Sequence, residues 1–234
     1  MYRRIALLHL RPDAAPNDVK TLEHELTDTP SRVPAVARTH LGRHLEGTVG
    51  GGHYTWDLLF NDRDSCPPFA EQLALGGQTD IVDRCVERID AVQFAPAYGH
   101  IAEPGIADCV KRTLFIEVNR TTPAERVAKF DRVLTGMPGY IATIRNWAYS
   151  RVDRDGTVGP RRWTHVWEQE YAELSGLRGE YMMNPYHWGY VDGWFDPESP
   201  NRVVEPGVAH VFCPATSSIL AWAGDLTADL TAAR

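Results

Sequence analysis

The sequence predicts an α+β fold in which two βαββαβ-like units close into one barrel. Three observations predict it. An arginine-led strand occurs twice, as RIALLHL at 4–10 and RTLFIEV at 112–118, with Arg4 and Arg112 standing 108 residues apart. Each is followed by a polar, proline-containing turn and an amphipathic helical stretch. Each unit closes on the same phrase, Phe-x-Pro-Ala, at Phe94–Ala97 and Phe212–Ala215. Internal repetition of this kind decides architecture before any single element does. A lone four-stranded sheet leaves its edges and one face unprotected, and two such sheets remove both problems by closing on each other. The 234 residues, 43% of them hydrophobic, supply the core.

The elements follow in chain order. The first helix begins near Pro16 and places Val19, Leu22 and Leu26 on one face, as the second does with Val127, Phe130, Val133 and Leu134. Thr122, Pro123 and Glu125 read as an N-cap, a first helical proline and the acidic end of a capping box. Proline turns at Val33–Val36 and Met137–Tyr140 lead into second strands, THLGRHL and TIRNWAY. Glycine-rich or polar loops at 47–52 and 153–162 precede third strands at 54–60 and 163–168. A linker at 102–105 divides the chain into units 1–105 and 106–234. In the tail, Ile219, Trp222, Leu226 and Leu230 share helical spacing and predict a core-covering helix, with an oligomer contact as the alternative.

Composition narrows the function. The 31 acidic against 24 basic residues, a formal charge of −7, weigh against a nucleic-acid partner. Cys66, Cys85, Cys109 and Cys213 lack CxxC spacing, the N-terminus lacks a signal-peptide pattern, and no apolar run reaches bilayer length, so a reduced, cytoplasmic protein with no membrane partner is expected. Gly50–Gly52 lacks the lysine of a phosphate loop. His40 and His44 fall on a strand and its exit, where a four-residue spacing makes no metal face. Neither a dinucleotide fingerprint nor a Gly-x-Ser-x-Gly elbow is present, and neither a metal nor a cofactor is expected.

The ordered set of strand, proline turn, helix, Pro34-Ala35-Val36, Gly42-Arg43 strand and Tyr/Trp-Thr strand, followed by Tyr181-Met-Met-Asn184-Pro185-Tyr186-His187, resembles the Dabb family of stress-responsive dimeric α+β barrels. The resemblance spans most of both units and implies two ferredoxin-like repeats fused into a pseudo-dimeric barrel, with a homodimer as a further option. It also implies that Tyr181 and His187 are a catalytic pair. The family's strand-opening histidine is here Arg4 and Arg112, and Asn184 and Trp188 also depart from its pattern. The corresponding region of the first unit, Phe69–Gln78, holds neither tyrosine nor histidine, so that unit is expected to be non-catalytic.

A neutral histidine takes a proton and a tyrosine hydroxyl stabilises developing oxyanion charge, a combination suited to enolate chemistry. Pro185 must break the helix between the two residues, which allows both to face one pocket. Strand alternation puts Trp163, His165 and Trp167 on one face, which makes His165 either a third catalytic candidate or a hydrogen-bonded core histidine. Five tryptophans between 147 and 194 exceed what an ordinary core needs. Arg112, Tyr140, Trp147, Trp163, Trp167, Asn184, Trp188, Tyr190 and Trp194 are the candidate substrate-binding residues. Arg112 is expected to pair with Glu117, with Glu168 or with a ligand carboxylate. The expected function is a cofactor-independent cyclase, aldol or retro-aldol lyase or isomerase acting on an aromatic or polyketide-like carbonyl compound. The alternatives are a cofactor-free monooxygenase of phenols or anthrones and a non-catalytic stress or ligand-binding protein.

Overall fold

The computed structural model describes residues 1–224, 226 and 227. Two antiparallel sheets face each other, and helices cover their outer faces. In the first unit, β1 (Tyr2–Leu10) is followed by α1 (Pro16–Thr27), α2 (Thr29–Arg32), β2 (Val36–Arg43), β3 (Tyr54–Phe60), α3 (Phe69–Leu75), α4 (Thr79–Cys85) and β4 (Val86–Phe94). Then come β5 (Tyr98–Ile101), β6 (Ala107–Ile116), α5 (Ala124–Gly136), β7 (Asn146–Arg151), β8 (Thr157–Val158), β9 (His165–Tyr171) and β10 (Ala209–Ser217). Strand order is β2-β3-β1-β4-β8 in one sheet and β10-β6-β9-β7-β5 in the other. No helix among the described residues is long and apolar enough to cross a membrane.

The sheets join along both seams. Val49 and His210 exchange two backbone hydrogen bonds of 2.8 Å, and the Leu45 amide donates to the Phe212 carbonyl at 3.0 Å. On the other side each unit lends a strand to its neighbour. β8, in the connection between β7 and β9, reaches across to pair Ala91 with Val158, while β5 leaves the first unit to pair with β7. The predicted two-repeat barrel is the architecture observed.

Alternation sorts every central strand between two cores. Ile5, Leu7, Val92, Phe94, Phe115, Val166 and Val211 fill the space between the sheets, whereas Tyr2, Ala6, Leu8, Trp56 and Leu58 pack under the helices of the first unit. The helix-facing core of the second unit is built around Leu114, Phe130, Trp147, Trp167 and Tyr181.

The space between the sheets also holds a cluster of four mutually paired charges. Arg3 of β1 contacts Asp57 of β3 at 2.7 Å and Glu168 of β9 at 2.8 Å, and Lys111 of β6 contacts the same two carboxylates at 3.1 and 3.0 Å. All four side chains are buried. Burial alone would raise the Asp57 carboxyl, but Lys111 and Arg3 outweigh it and hold the group below its ordinary value. Lys111 is held above its own ordinary value, since Asp57 and Glu168 more than offset its burial.

Three expectations are corrected. The capping box does not form: α5 begins at Ala124 with Pro123 as an extended N-cap, and no side chain caps it. Asn119 draws Thr121 and Thr122 into its own turn, with the Thr122 amide donating to the Asn119 carbonyl at 3.0 Å, so Thr122 is one residue too early. The tail is not a long helix. It makes one 3-10 turn, Leu220–Ala223, seeded by the Glu170 carboxylate accepting from the Ile219 and Leu220 amides, and Gly224 ends it at φ +70°. Leu226 lies beyond that turn, and Leu230 lies outside the described residues. Nor do Trp163, His165 and Trp167 share a face. Trp163 precedes the β9 ladder and packs on Phe115 between the sheets, while His165 and Trp167 face the helices.

Replacing Glu168 by Ala leaves Arg3 and Lys111 sharing one carboxylate in a dry interior. The expected loss is about 3–5 kcal/mol of unfolding free energy, measured by urea denaturation. Because the folded Asp57 pKa is depressed, its share of the stability is present above the unfolded carboxylate pKa and is lost as pH falls through the folded value.

Candidate active site

The candidate site lies on the helix-facing side of the second sheet. The β6–β9 register sets Arg112 opposite Gln169, and alternation turns both toward the helical layer. Arg112 Nη1 donates to Gln169 Oε1 at 2.6 Å and its Nε to His210 Nε2 at 2.7 Å. The Tyr171 hydroxyl donates to the same Gln169 oxygen at 2.9 Å. The guanidinium lies 4.9 Å from the centre of the Tyr181 ring. No carboxylate pairs with it among the described residues, contrary to the expectation of Glu117 or Glu168. Glu117 pairs with Arg161, and Glu168 stands opposite Thr113 on the other side of the sheet, bound to Arg3 and Lys111.

The chain between β9 and β10 supplies the other half. It runs through two wide π-helical stretches, Gly176–Tyr181 and His187–Val191, separated by a break at Asn184. Pro185 has no amide to donate, and the Asn184 carbonyl instead accepts from the His187 amide at 2.9 Å. Asn184 fixes the break by donating to the Tyr140 carbonyl and accepting from the Tyr186 amide, each at 2.9 Å. Wide turns and the break together bring residues six apart onto one side, and the Tyr181 and His187 ring centres come within 4.6 Å.

The electrostatics suit acid-base work. Burial pulls the His187 imidazole below its ordinary value; Asp192, whose Oδ1 is 3.6 Å from Nδ1, opposes the shift, and Arg112 adds to it. Burial pushes Tyr181 up, so it remains a protonated donor at neutral pH. Burial, with Arg112 and His187 beside it, brings His210 down to about 3. That imidazole is therefore a neutral acceptor for the Arg112 N–H.

The other candidates divide. Trp147 and Trp167, 5.5 Å apart, are buried beneath the site, and Trp194 packs on Phe130. Tyr140, Trp188 and Tyr190 are exposed by 60–65%, with Tyr140 and Tyr190 on either side of Tyr186 in a stack, so they lie on the surface around the site. Asn184 serves the backbone. His165 is four residues from Gln169 along β9, about 13 Å at an ordinary strand rise, with Trp167 between them. It stacks on Tyr149 and does not join Tyr181 and His187. Gln169, His210 and Asp192 were not foreseen. Only Asp192, five residues after His187, carries a local signal, and that signal appears once the wide turn is known. Among the described residues no group of three His, Cys, Asp or Glu side chains is placed to hold a metal ion.

Residues 110–205 match the Dabb family, described as Stress responsive A/B Barrel Domain. That stretch of the second unit is similar to a Dabb domain. A search of the curated proteins finds no match. Among solved structures, an anthrone oxidase-like protein superposes with a TM-score of 0.65 at 13% identity, covering 98% of this chain and 96% of that one. A candidate monooxygenase of Fusobacterium nucleatum gives 0.55 at 9% identity, over 92% of both chains. Another, of Lactobacillus acidophilus NCFM, gives 0.51 at 10% identity over 93% and 97%. These likenesses establish a shared fold across both units.

Because Asp192 raises the His187 pKa, Asp192→Asn should lower it further. A pH titration of the imidazole by NMR checks this, with a midpoint below 6.5 in the parent protein and lower still in the variant.

Proposed function

We propose that the protein is an acid-base enzyme needing no cofactor, of the cyclase, aldol or retro-aldol lyase or isomerase type, acting on an aromatic or polyketide-like carbonyl compound. The observation that carries this reading is the set of Tyr181, His187 and Arg112, with rings 4.6 Å apart and a cation without a carboxylate 4.9 Å over the tyrosine ring. His187 is the base. Asp192 faces Nδ1 and favours a proton there, which leaves Nε2 to take a proton from carbon next to the substrate carbonyl. The enolate oxygen accepts from the Tyr181 hydroxyl and is balanced by the Arg112 charge. The enolate carbon then attacks a second carbonyl, a carbon–carbon bond forms, and the resulting alkoxide recovers the proton held by His187. The retro-aldol direction runs the same steps backwards. Arg112 suits this role because its contacts are to neutral Gln169 and His210, and a carboxylate partner would already have cancelled its charge.

A second reading, a cofactor-free monooxygenase of phenols or anthrones, is favoured by the anthrone oxidase-like and monooxygenase neighbours over nearly the whole chain. There His187 would take the proton of a phenol or activated carbon, and the carbanion would be oxidised by dioxygen.

Tyr181→Phe and His187→Ala should each lower turnover of a linear poly-β-ketone probe by about 100-fold or more, with thermal melts to verify folding. Turnover should persist without dioxygen. Undiminished rates in both variants would overturn the mechanism, and strict dioxygen dependence would select the monooxygenase. Retention of an unchanged ligand by protein and variants alike would make the barrel a binding protein.

A further inference from the structure

Gly136, the last residue of α5, has an ordinary helical backbone at φ −76° and ψ −21°. Any residue adopts that conformation, and glycine there costs helix stability relative to alanine. The reason for glycine lies outside the helix. A Cβ at 136 would stand 2.6 Å from the Tyr186 hydroxyl oxygen and 3.5 Å from Cζ. The first distance is closer than non-bonded atoms sit, and the second is ordinary contact.

Tyr186 does not give way cheaply. Its ring lies between Tyr140, with centres 4.3 Å apart and planes at 15°, and Tyr190, at 5.1 Å and 22°. Its hydroxyl donates to the Val133 carbonyl at 3.1 Å. The helix tightens at its end to allow this, since the Met137 amide donates to the Leu134 carbonyl rather than to that of Val133. Burial, with Tyr140 and Tyr190 beside it, pushes the Tyr186 phenol up, so it keeps the proton it donates. Asn184 ties the same turn to the same connection, through the Tyr140 carbonyl and the Tyr186 amide.

Tyr186 immediately precedes His187, the first residue of the second π-helical stretch. A stacked ring and a hydroxyl bond thus fix the start of that stretch against α5, and its direction sets where His187 meets Tyr181. His187 Nδ1 makes no hydrogen bond among the described residues, with Asp192 Oδ1 3.6 Å away, so the imidazole depends on its backbone for position.

We propose that Tyr186 is a positioning residue for His187, and that Gly136 is the gap that admits its hydroxyl. This rests on the reading of His187 as the base. The phenol touches no reacting atom in that reading; it holds the turn from which the base is presented. A misplacement of about 1 Å in such a group can cost about 100-fold in rate.

G136A tests the gap. Turnover of the poly-β-ketone probe should fall about 10-fold. By NMR the His187 midpoint should rise toward 6.5 as the ring leaves its buried place, and the Overhauser contact between the Tyr181 and His187 rings should weaken. Y186F loses the bond to Val133 and keeps the stack. The double variant G136A/Y186F should match Y186F in all three readouts, because no oxygen is left for the alanine to strike; a merely structural defect at 136 would not be rescued in this way. Y186A removes the clamp with α5 intact and should behave as G136A does, which keeps the test decisive if G136A does not fold. A double variant as impaired as G136A, or a parent-like His187 midpoint and ring contact in Y186A, would overturn the proposal. The NMR readouts need no substrate. Undiminished turnover in H187A, with those readouts moving as expected, would sink the acid-base reading and leave the positioning of His187 by Tyr186 standing.

Discussion

The interior ring of Arg3, Asp57, Lys111 and Glu168 is the constraint on which the rest of the structure depends. Each charge comes from a different strand, two from each unit, and each cation touches both carboxylates. Desolvating four charges costs several kcal/mol apiece, and the mutual attraction offsets that cost only while all four are in place. A slip of one residue in any of these strands would turn its charged residue outward and leave three behind. The ring therefore fixes register between the units as well as within them. Its parity also fixes the site. With Lys111 and Glu168 inside, Arg112 and Gln169 must face the helices.

The same parity acts twice with different results. Arg3 inside puts Arg4 under the helices of the first unit, where Arg112 stands in the second. Arg4 donates to Gln72 and to the Pro67 carbonyl and lies between the Phe60 and Phe69 rings. Burial lowers its pKa, and no carboxylate offsets that. A buried guanidinium held by amides and aromatic faces is thus common to both units. In the first, Gln72 and Phe69 occupy the space beside it. In the second, Tyr181 and His187 do so, and this difference of side chains is what gives one unit candidate chemistry.

What could be read from the sequence follows from range. The repeats, strands and helices rest on local periodicity, and they were legible, as was the proximity of Tyr181 and His187 that Pro185 made feasible. Pairings across strands were not. Arg112 was matched to Glu117 or Glu168 because charge suggests a partner, whereas register gave it Gln169 and His210, the latter 98 residues away. Trp163 broke strict alternation because the ladder begins only at His165. Thr122 lost its capping role to a turn at Asn119, whose side chain accepts from the Thr121 amide and whose carbonyl accepts from the Thr122 amide. In each case a tertiary contact or a competing turn overrode a correct local rule.

Three histidines of the second unit face one helical layer, and burial lowers all three, so each is neutral at pH 7. Neutrality alone does not make a base; the lone pair must be free, and the surroundings must tolerate the anion that proton removal creates. His210 spends its Nε2 on Arg112. His165 stacks on Tyr149 and has Asp131 3.9 Å from Nε2, so an anion formed beside it would face a carboxylate. At His187 the sign is reversed. The nearby Arg112 is placed to favour an anion, while Asp192, on the Nδ1 side of the ring, favours the imidazolium. The placement of one cation and two carboxylates thus separates His187, as the candidate base, from the other two histidines.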